Sequence, residues 1–259
     1  MGMFSTSRRA FLSLGAMALA ALAGSALSPV TARAADAAHA PAAPKTLQLP
    51  MRTDGPKTLD PAQGSTQYDN IAVSMVYETL VTFSYAKPSE LEPLLLSEMP
   101  ARSEDGLTIR FKLKPGARFA DDACFPGGKG RAITPEDVFY SLKRLADKRL
   151  ALKNWWLLDG QVVGLNEFKD QQNANLDAGK AFDYDAPVAG FVKISDTEFE
   201  IKLTKPVYRF LYTLAQFQTS VVPREAVEKY ADQFGAHPVG TGPFVLDQWQ
   251  PKTLLHLNK

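Results

Sequence analysis

Cysteine is almost absent from this chain: Cys124 is the only one in 259 residues. An intrachain disulfide is therefore impossible, even in a compartment that would permit one. Beside Phe125, Cys124 reads as a small buried apolar residue; a reactive thiol or half of an intermolecular bridge is the alternative. Histidine is scarce as well, with only His39, His237 and His256. No H-E-x-x-H occurs and no Cys/His set has zinc spacing. A charge excess is also lacking, since 29 Lys and Arg face 28 Asp and Glu for a net charge of +1. The two signs are interspersed, so no basic face points to nucleic acid or to anionic lipid.

Long apolar runs are missing except at the start. Residues 11–27 are apolar or small, contain no acid, and follow the pair Arg8-Arg9. A small-residue site, Ala32-Arg33-Ala34, comes next. A basic start, an apolar middle and an A-x-A end describe a cleaved secretory signal. The run is diluted by Gly15, Gly24 and Ser25, and is short for a spanning helix, which needs about 20 apolar residues. Arg8 and Arg9 followed by Phe11 and Leu12 resemble the twin-arginine export signal; an ordinary Sec signal with two arginines is the alternative. Either route predicts a signal over 1–34, cleaved after Ala34 or else after Ala40, then an Ala/Pro-rich tether over 35–44. With no cysteine in or beside the signal to carry a lipid anchor, the expected location is soluble and periplasmic.

Several chemistries fail on inspection. Gly127-Gly128-Lys129-Gly130 has Ala123 where a phosphate loop needs its first glycine, and Gly130 where it needs Ser or Thr. Gly240-Thr241-Gly242 lacks the third glycine of a dinucleotide fingerprint and runs into Pro243, which has no amide proton. There is no G-x-S-x-G elbow. Asp121-Asp122 could serve acid/base work or calcium, but calcium needs six to eight oxygens, and a solvated loop is the expected reading. No nucleophile comes with its base, which disfavours an enzyme, and no metal or cofactor is expected.

The remainder patterns as mixed helices and strands without regular βαβα alternation. Alternation predicts a half-buried strand over 46–51, with Leu47, Leu49 and Met51 on one side. Thr58-Leu59-Asp60-Pro61 reads as a turn. Residues 64–70 read as a polar loop, with a helix from Asp69 carrying Ile71, Met75, Val76 and Leu80 as its stripe. Glu104-Asp105-Gly106 is a turn before a strand that puts Ile109, Phe111 and Leu113 on one face, ended by Pro115-Gly116. The clearest helix spans 133–145: Thr134 caps it, Pro135 takes the first position, Asp137 reaches back to the cap amide, and Val138, Leu142 and Leu145 face the core. Residues 169–180 are polar surface. A hairpin is expected over 191–203, helices over 207–215 and from Pro223 to Phe234, and strands over 244–248 and 254–259.

Five segments taken in order resemble one family. They are Thr58-Leu59-Asp60-Pro61; Val76-Tyr77-Glu78-Thr79-Leu80-Val81; the strand from Asp105-Gly106 through Leu113 with Pro115-Gly116-Ala117-Arg118-Phe119; Ile133-Thr134-Pro135-Glu136-Asp137-Val138; and Pro238-Val239-Gly240-Thr241-Gly242-Pro243-Phe244. Together they are similar to the family 5 extracellular solute-binding proteins, the peptide, dipeptide and nickel receptors of ABC importers. The family usually has Phe-x-Asp-Gly-x-Pro before the Thr134-type helix. Here Phe119-Ala120-Asp121-Asp122-Ala123-Cys124-Phe125-Pro126 begins a longer loop, the mark of a divergent subgroup.

The resemblance implies a mixed α/β fold: a periplasmic binding protein type II-like lobe with an inserted α+β subdomain. Family members are much longer, so the chain reads as an N-terminal fragment without the second lobe. On this reading residues 45–77 plus 224–259 form the core of the first lobe, and 78–223 form the insert. It further implies a monomeric receptor that closes around a small solute, an oligopeptide above all, and delivers it to an ABC permease in the inner membrane. The family's cleft-lining segment maps to Gly64, Ser65, Thr66, Gln67 and Tyr68, whose amides and hydroxyls could meet an extended peptide. Trp155 and Trp156 are expected to pack the insert, with ligand contact as the alternative. The competing functional reading is an exported enzyme of unidentified chemistry, carried folded by the twin-arginine route.

Overall fold

Apolar residues at every second position need a sheet to bury one face, and the segments that alternate most clearly do form one. The computed structural model describes residues 46–51, 54–150 and 152–259. The signal, its cleavage site and the tether lie outside the described residues. Residues 49–259 form one compact unit.

The first helix, α1 (Gln67–Val76), is followed by a hairpin of β1 (Val81–Phe83) and β2 (Leu91–Pro93). Next come β3 (Ala101–Arg102), β4 (Thr108–Lys112), helix α2 (Pro135–Arg144), a 3-10 stretch over Leu152–Leu157, helix α3 (Leu165–Asp177), β5 (Phe191–Lys193) and β6 (Glu198–Lys202). Strands β3, β4, β6 and β5 pair in that order into an antiparallel sheet. Its inner face carries Ile109, Phe111, Phe199 and Ile201, all essentially inaccessible to solvent. Phe111 stacks on Phe199 at 4.9 Å, and α2 lies over the sheet through Phe139, which stacks on Phe191 at 4.9 Å. The chain closes with α4 (Phe210–Thr213), α5 (Arg224–Tyr230), and a hairpin of β7 (Val245–Gln250) and β8 (Leu254–Asn258).

Helix α2 follows its sequence closely. The Asp137 carboxylate accepts from the Thr134 amide at 2.8 Å, and Val138, Leu142 and Leu145 are buried. Other expectations need correction. Residues 46–51 form no strand: Leu47 is 81% exposed and, among the described residues, nothing pairs with the segment. Helix α1 begins two residues before Asp69, because Asp69 is the third helical residue of a capping box closed by Thr66. Its buried apolar positions are Ala72, Val73 and Val76, while Ile71 and Met75 are only half-buried and Leu80 lies beyond the helix. The polar stretch 169–180 lies at the surface as expected apart from buried Gln172, and most of it belongs to helix α3. Only Phe210–Thr213 of the expected 207–215 segment is α-helical. The helix after Pro223 stops at Tyr230, since Ala231 takes φ 43°, a conformation an α-helix cannot include; a 3-10 stretch then runs to Ala236.

Candidate functional site: the segment after the Asp60 turn

The Thr58–Pro61 turn forms as its residue types dictate. The Asp60 amide donates to the Thr58 hydroxyl at 3.0 Å, and the Gly64 amide to the Asp60 carbonyl at 3.1 Å. The turn is then tied to distant parts of the chain. Arg144 at the end of α2 forks onto the Asp60 carboxylate with two bonds of 2.9 Å, and both side chains are 2% exposed. The Arg144 guanidinium also lies 5.2 Å from the Phe234 ring centre. Burial opposes charging of Arg144, and the Asp60 carboxylate outweighs it, so its pKa is raised.

Asn154, itself buried, donates from one amide nitrogen to the carbonyls of Ala62 and Gly64 at 2.8 and 3.0 Å. The Phe217 ring seats against Gly64 so closely that a Cβ there would stand 2.5 Å from a ring carbon. That close approach is why a glycine occupies the position.

Asp69 organises the next turn of chain. Its carboxylate accepts the amides of Lys57 (2.8 Å), Ser65 (3.0 Å) and Thr66 (2.9 Å), and the Thr66 hydroxyl accepts the Asp69 amide at 3.1 Å. Burial pushes the Asp69 pKa up, and these amide bonds outweigh it, leaving it below the ordinary carboxylate value. The sequence expectation for Gly64, Ser65, Thr66, Gln67 and Tyr68 is therefore narrowed. The Ser65 and Thr66 amides and the Thr66 hydroxyl are engaged within the protein, and Gly64 is buried. Gln67 and Tyr68 sit in the first turn of α1 rather than in a loop. What faces outward is the Ser65 side chain, touched by Lys153 Nζ at 3.1 Å, together with exposed Gln67 and half-buried Tyr68.

Sequence reasoning missed Arg144, Asn154 and Lys153. One signal was available: Asp137, Ser141 and Arg144 form a polar stripe at helical spacing on the buried side of α2. Each member binds a different segment. Arg131 pairs with Asp137 at 2.7 Å and with Glu225 at 2.6 Å, and the Val222 amide donates to Ser141 Oγ at 2.9 Å. The stripe fastens loops to a helix.

Two other regions were weighed. Asp122 is not the solvated residue expected: it accepts the Tyr230 hydroxyl at 2.7 Å and the Cys124 amide at 2.7 Å, with His237 Nε2 3.0 Å away. Burial alone would raise its pKa, but these bonds hold it down at about 2. Burial, then the neighbouring Asp122, push the Cys124 thiol up to about 12, which opposes the thiolate a reactive cysteine needs at neutral pH. A groove of about 370 Å³ between α2 and α5 is rimmed by charges that are already paired, Arg224 with Asp185 and Glu228 among them. Among the described residues, no group of three or more His, Cys, Asp or Glu is placed to hold a metal, and no helix is long and apolar enough to cross a membrane.

Residues 90–259 match the family model of the bacterial extracellular solute-binding proteins, family 5 Middle. The chain belongs to this family, and its mixed α/β architecture resembles the family's periplasmic binding protein fold. The glutathione-binding protein GsiB of Escherichia coli O1:K1 is 28% identical over 202 residues, covering 78% of this chain and 32% of that protein. GsiB of Escherichia coli strain K12 is 27% identical over the same length. Among solved structures, the oligopeptide ABC transporter substrate-binding domain of Bacillus anthracis superposes with a TM-score of 0.65 at 20% identity, covering 80% of this chain and 36% of that one. The ABC transporter-associated periplasmic binding protein DppA of Helicobacter pylori, solved with the peptide STSA, gives 0.63 at 22% identity, covering 80% and 37%. The chain thus spans about a third of the length of these relatives, which are named as binding proteins or transport components.

Proposed function

We propose that this chain supplies the first lobe of the substrate-binding subunit of an ABC importer, capturing a peptide-like solute for delivery to a membrane permease. Family membership over residues 90–259 carries the reading. The names of the relatives support the ligand class: glutathione is a modified tripeptide, and the H. pylori protein was solved with a peptide. The ligand would lie against the outward side of residues 64–68, where Ser65, Gln67 and Tyr68 are within reach. A backbone pinned by Arg144, Asn154 and Asp69 suits such a role, because a preorganised surface loses little freedom on binding.

The division into a core of residues 45–77 plus 224–259 and an insert of 78–223 belongs to the same proposal. It is supported by bonds joining the two ends of the chain: the Leu59 amide donates to the Gly235 carbonyl at 2.9 Å, and the Gly242 amide to the Val76 carbonyl at 2.9 Å. The four-stranded sheet lies wholly within the insert. Export through the signal carrying Arg8, Arg9, Phe11 and Leu12 would place the mature protein in the periplasm.

The test is thermal unfolding of the full-length protein with a tripeptide mixture, glutathione and a nickel chelate. A ligand that binds only the folded state raises the melting temperature by mass action. Stabilisation by the peptides or glutathione supports the proposal; none by any of them refutes it.

A further inference from the structure

The 3-10 stretch Leu152–Leu157 sorts its residues onto three faces, since residues three apart eclipse one another in such a helix. Asn154 and Leu157 share one face and are 4% and 1% exposed. Trp155 and Leu158 share a second, also buried, with the Trp155 indole donating to Asp159 at 3.0 Å. The third face carries Lys153 and Trp156. Lys153 is exposed and Trp156 is 67% exposed, so the expectation that both tryptophans pack inside holds only for Trp155.

This outward face is held in place against the candidate binding segment. Asn154 grips the carbonyls of Ala62 and Gly64, and Lys153 Nζ reaches Ser65 Oγ at 3.1 Å. An ammonium has three donors, and Ser65 occupies one. Among the described residues, no carboxylate lies within ion-pair distance of Lys153. An exposed cation thus stands beside Ser65, with an exposed indole on the same face of the 3-10 stretch.

We propose that Lys153 and Trp156 form a subsite for a carboxylate-bearing peptide. Lys153 receives the carboxylate through its two remaining donors, and Trp156 receives an apolar part of the ligand on its ring. A charge-assisted bond supplies orientation, and the indole supplies a large rigid contact area. The subsite rests on the peptide-binding reading above, and it adds which end of the ligand points toward the 3-10 stretch.

The experiment measures binding by the full-length protein of a tripeptide mixture with free C-terminal carboxylates, and of the same mixture amidated. The wild type should favour the free acids by about tenfold, the effect of one charged hydrogen bond. Lys153→Met should remove that preference while leaving the amidated mixture unaffected, and Lys153→Arg should keep it. Trp156→Ala should weaken both mixtures about fivefold, as loss of an aromatic anchor does. Neither side chain is in the core, so the ligand-free melting temperature of each variant should match the wild type and exclude misfolding. If the wild type binds peptides and both variants bind equally well, the subsite is wrong and peptide capture stands. Equal loss of acid and amide binding in Lys153→Met also overturns it. If the wild type binds neither mixture, the peptide-binding reading fails and the subsite with it.

Discussion

Asp60 serves the turn and Arg144 at once, and both charges are shut away from water. Removing one partner leaves the other buried and uncompensated. Asp60→Ala should therefore cost about 3–5 kcal/mol, read as a lower urea midpoint at pH 7. Adding Arg144→Met should recover much of that loss, because the stranded charge goes with it. Asp122 makes a pH-dependent contribution. Its carboxyl titrates near pH 4 in an unfolded chain and at about 2 here. A depressed carboxyl pKa means the unfolded state takes up protons first on acidification. The contribution is complete above about pH 4 and is lost as pH falls toward 2. Urea midpoints measured from pH 6 to pH 2 should fall less steeply for Asp122→Asn than for the wild type within that window.

The Gly240–Phe244 segment shows at the scale of elements what a residue motif encodes. It runs along the end of α1: the Gly242 amide meets the Val76 carbonyl at 2.9 Å, and the Phe244 amide meets that of Met75 at 3.2 Å. A Cβ on Gly240 would lie 2.0 Å from the Val76 carbonyl oxygen, so no side chain fits. Gly240→Ala should destabilise by about 1–3 kcal/mol or more, since backbone must move on both sides, with thermal unfolding as the readout. Elements defined by strong local chemistry were legible in the sequence: α2 from Thr134, Pro135 and Asp137, and the β5–β6 hairpin from its alternation. Those decided by tertiary partners were not. Residues 46–51 alternate well but have no pairing strand among the described residues, and the helix after Pro223 ends where Ala231 adopts a positive φ. The candidate site was half legible. The Thr66-x-x-Asp69 capping box and the polar stripe ending in Arg144 were local traces of how the segment is held, but the partners that Arg144 and Asn154 find about 80 to 90 residues away left none.

In the molecule as a whole, the β7–β8 ribbon is, like the β1–β2 hairpin, a two-stranded sheet with no third strand among the described residues. Val245 and Leu254 are each 43% exposed on it. Unpaired strand edges with apolar side chains template association with other chains. The 259-residue chain expressed alone should therefore self-associate at micromolar concentrations and above, the range in which exposed edges drive aggregation. Light scattering should show this, and Val245→Lys with Leu254→Lys should reduce it; a monodisperse chain at high concentration would contradict the expectation.

The Asp60–Arg144 pair spans 84 positions. During translation Asp60 leaves the ribosome first and waits ~4–17 s for its counterion, at typical synthesis rates of about 5–20 residues per second. The segment just downstream of Asp60 is made early yet fixed late. Until α2 emerges, the nascent chain has the Asp60 turn but not the buried guanidinium that holds it rigid.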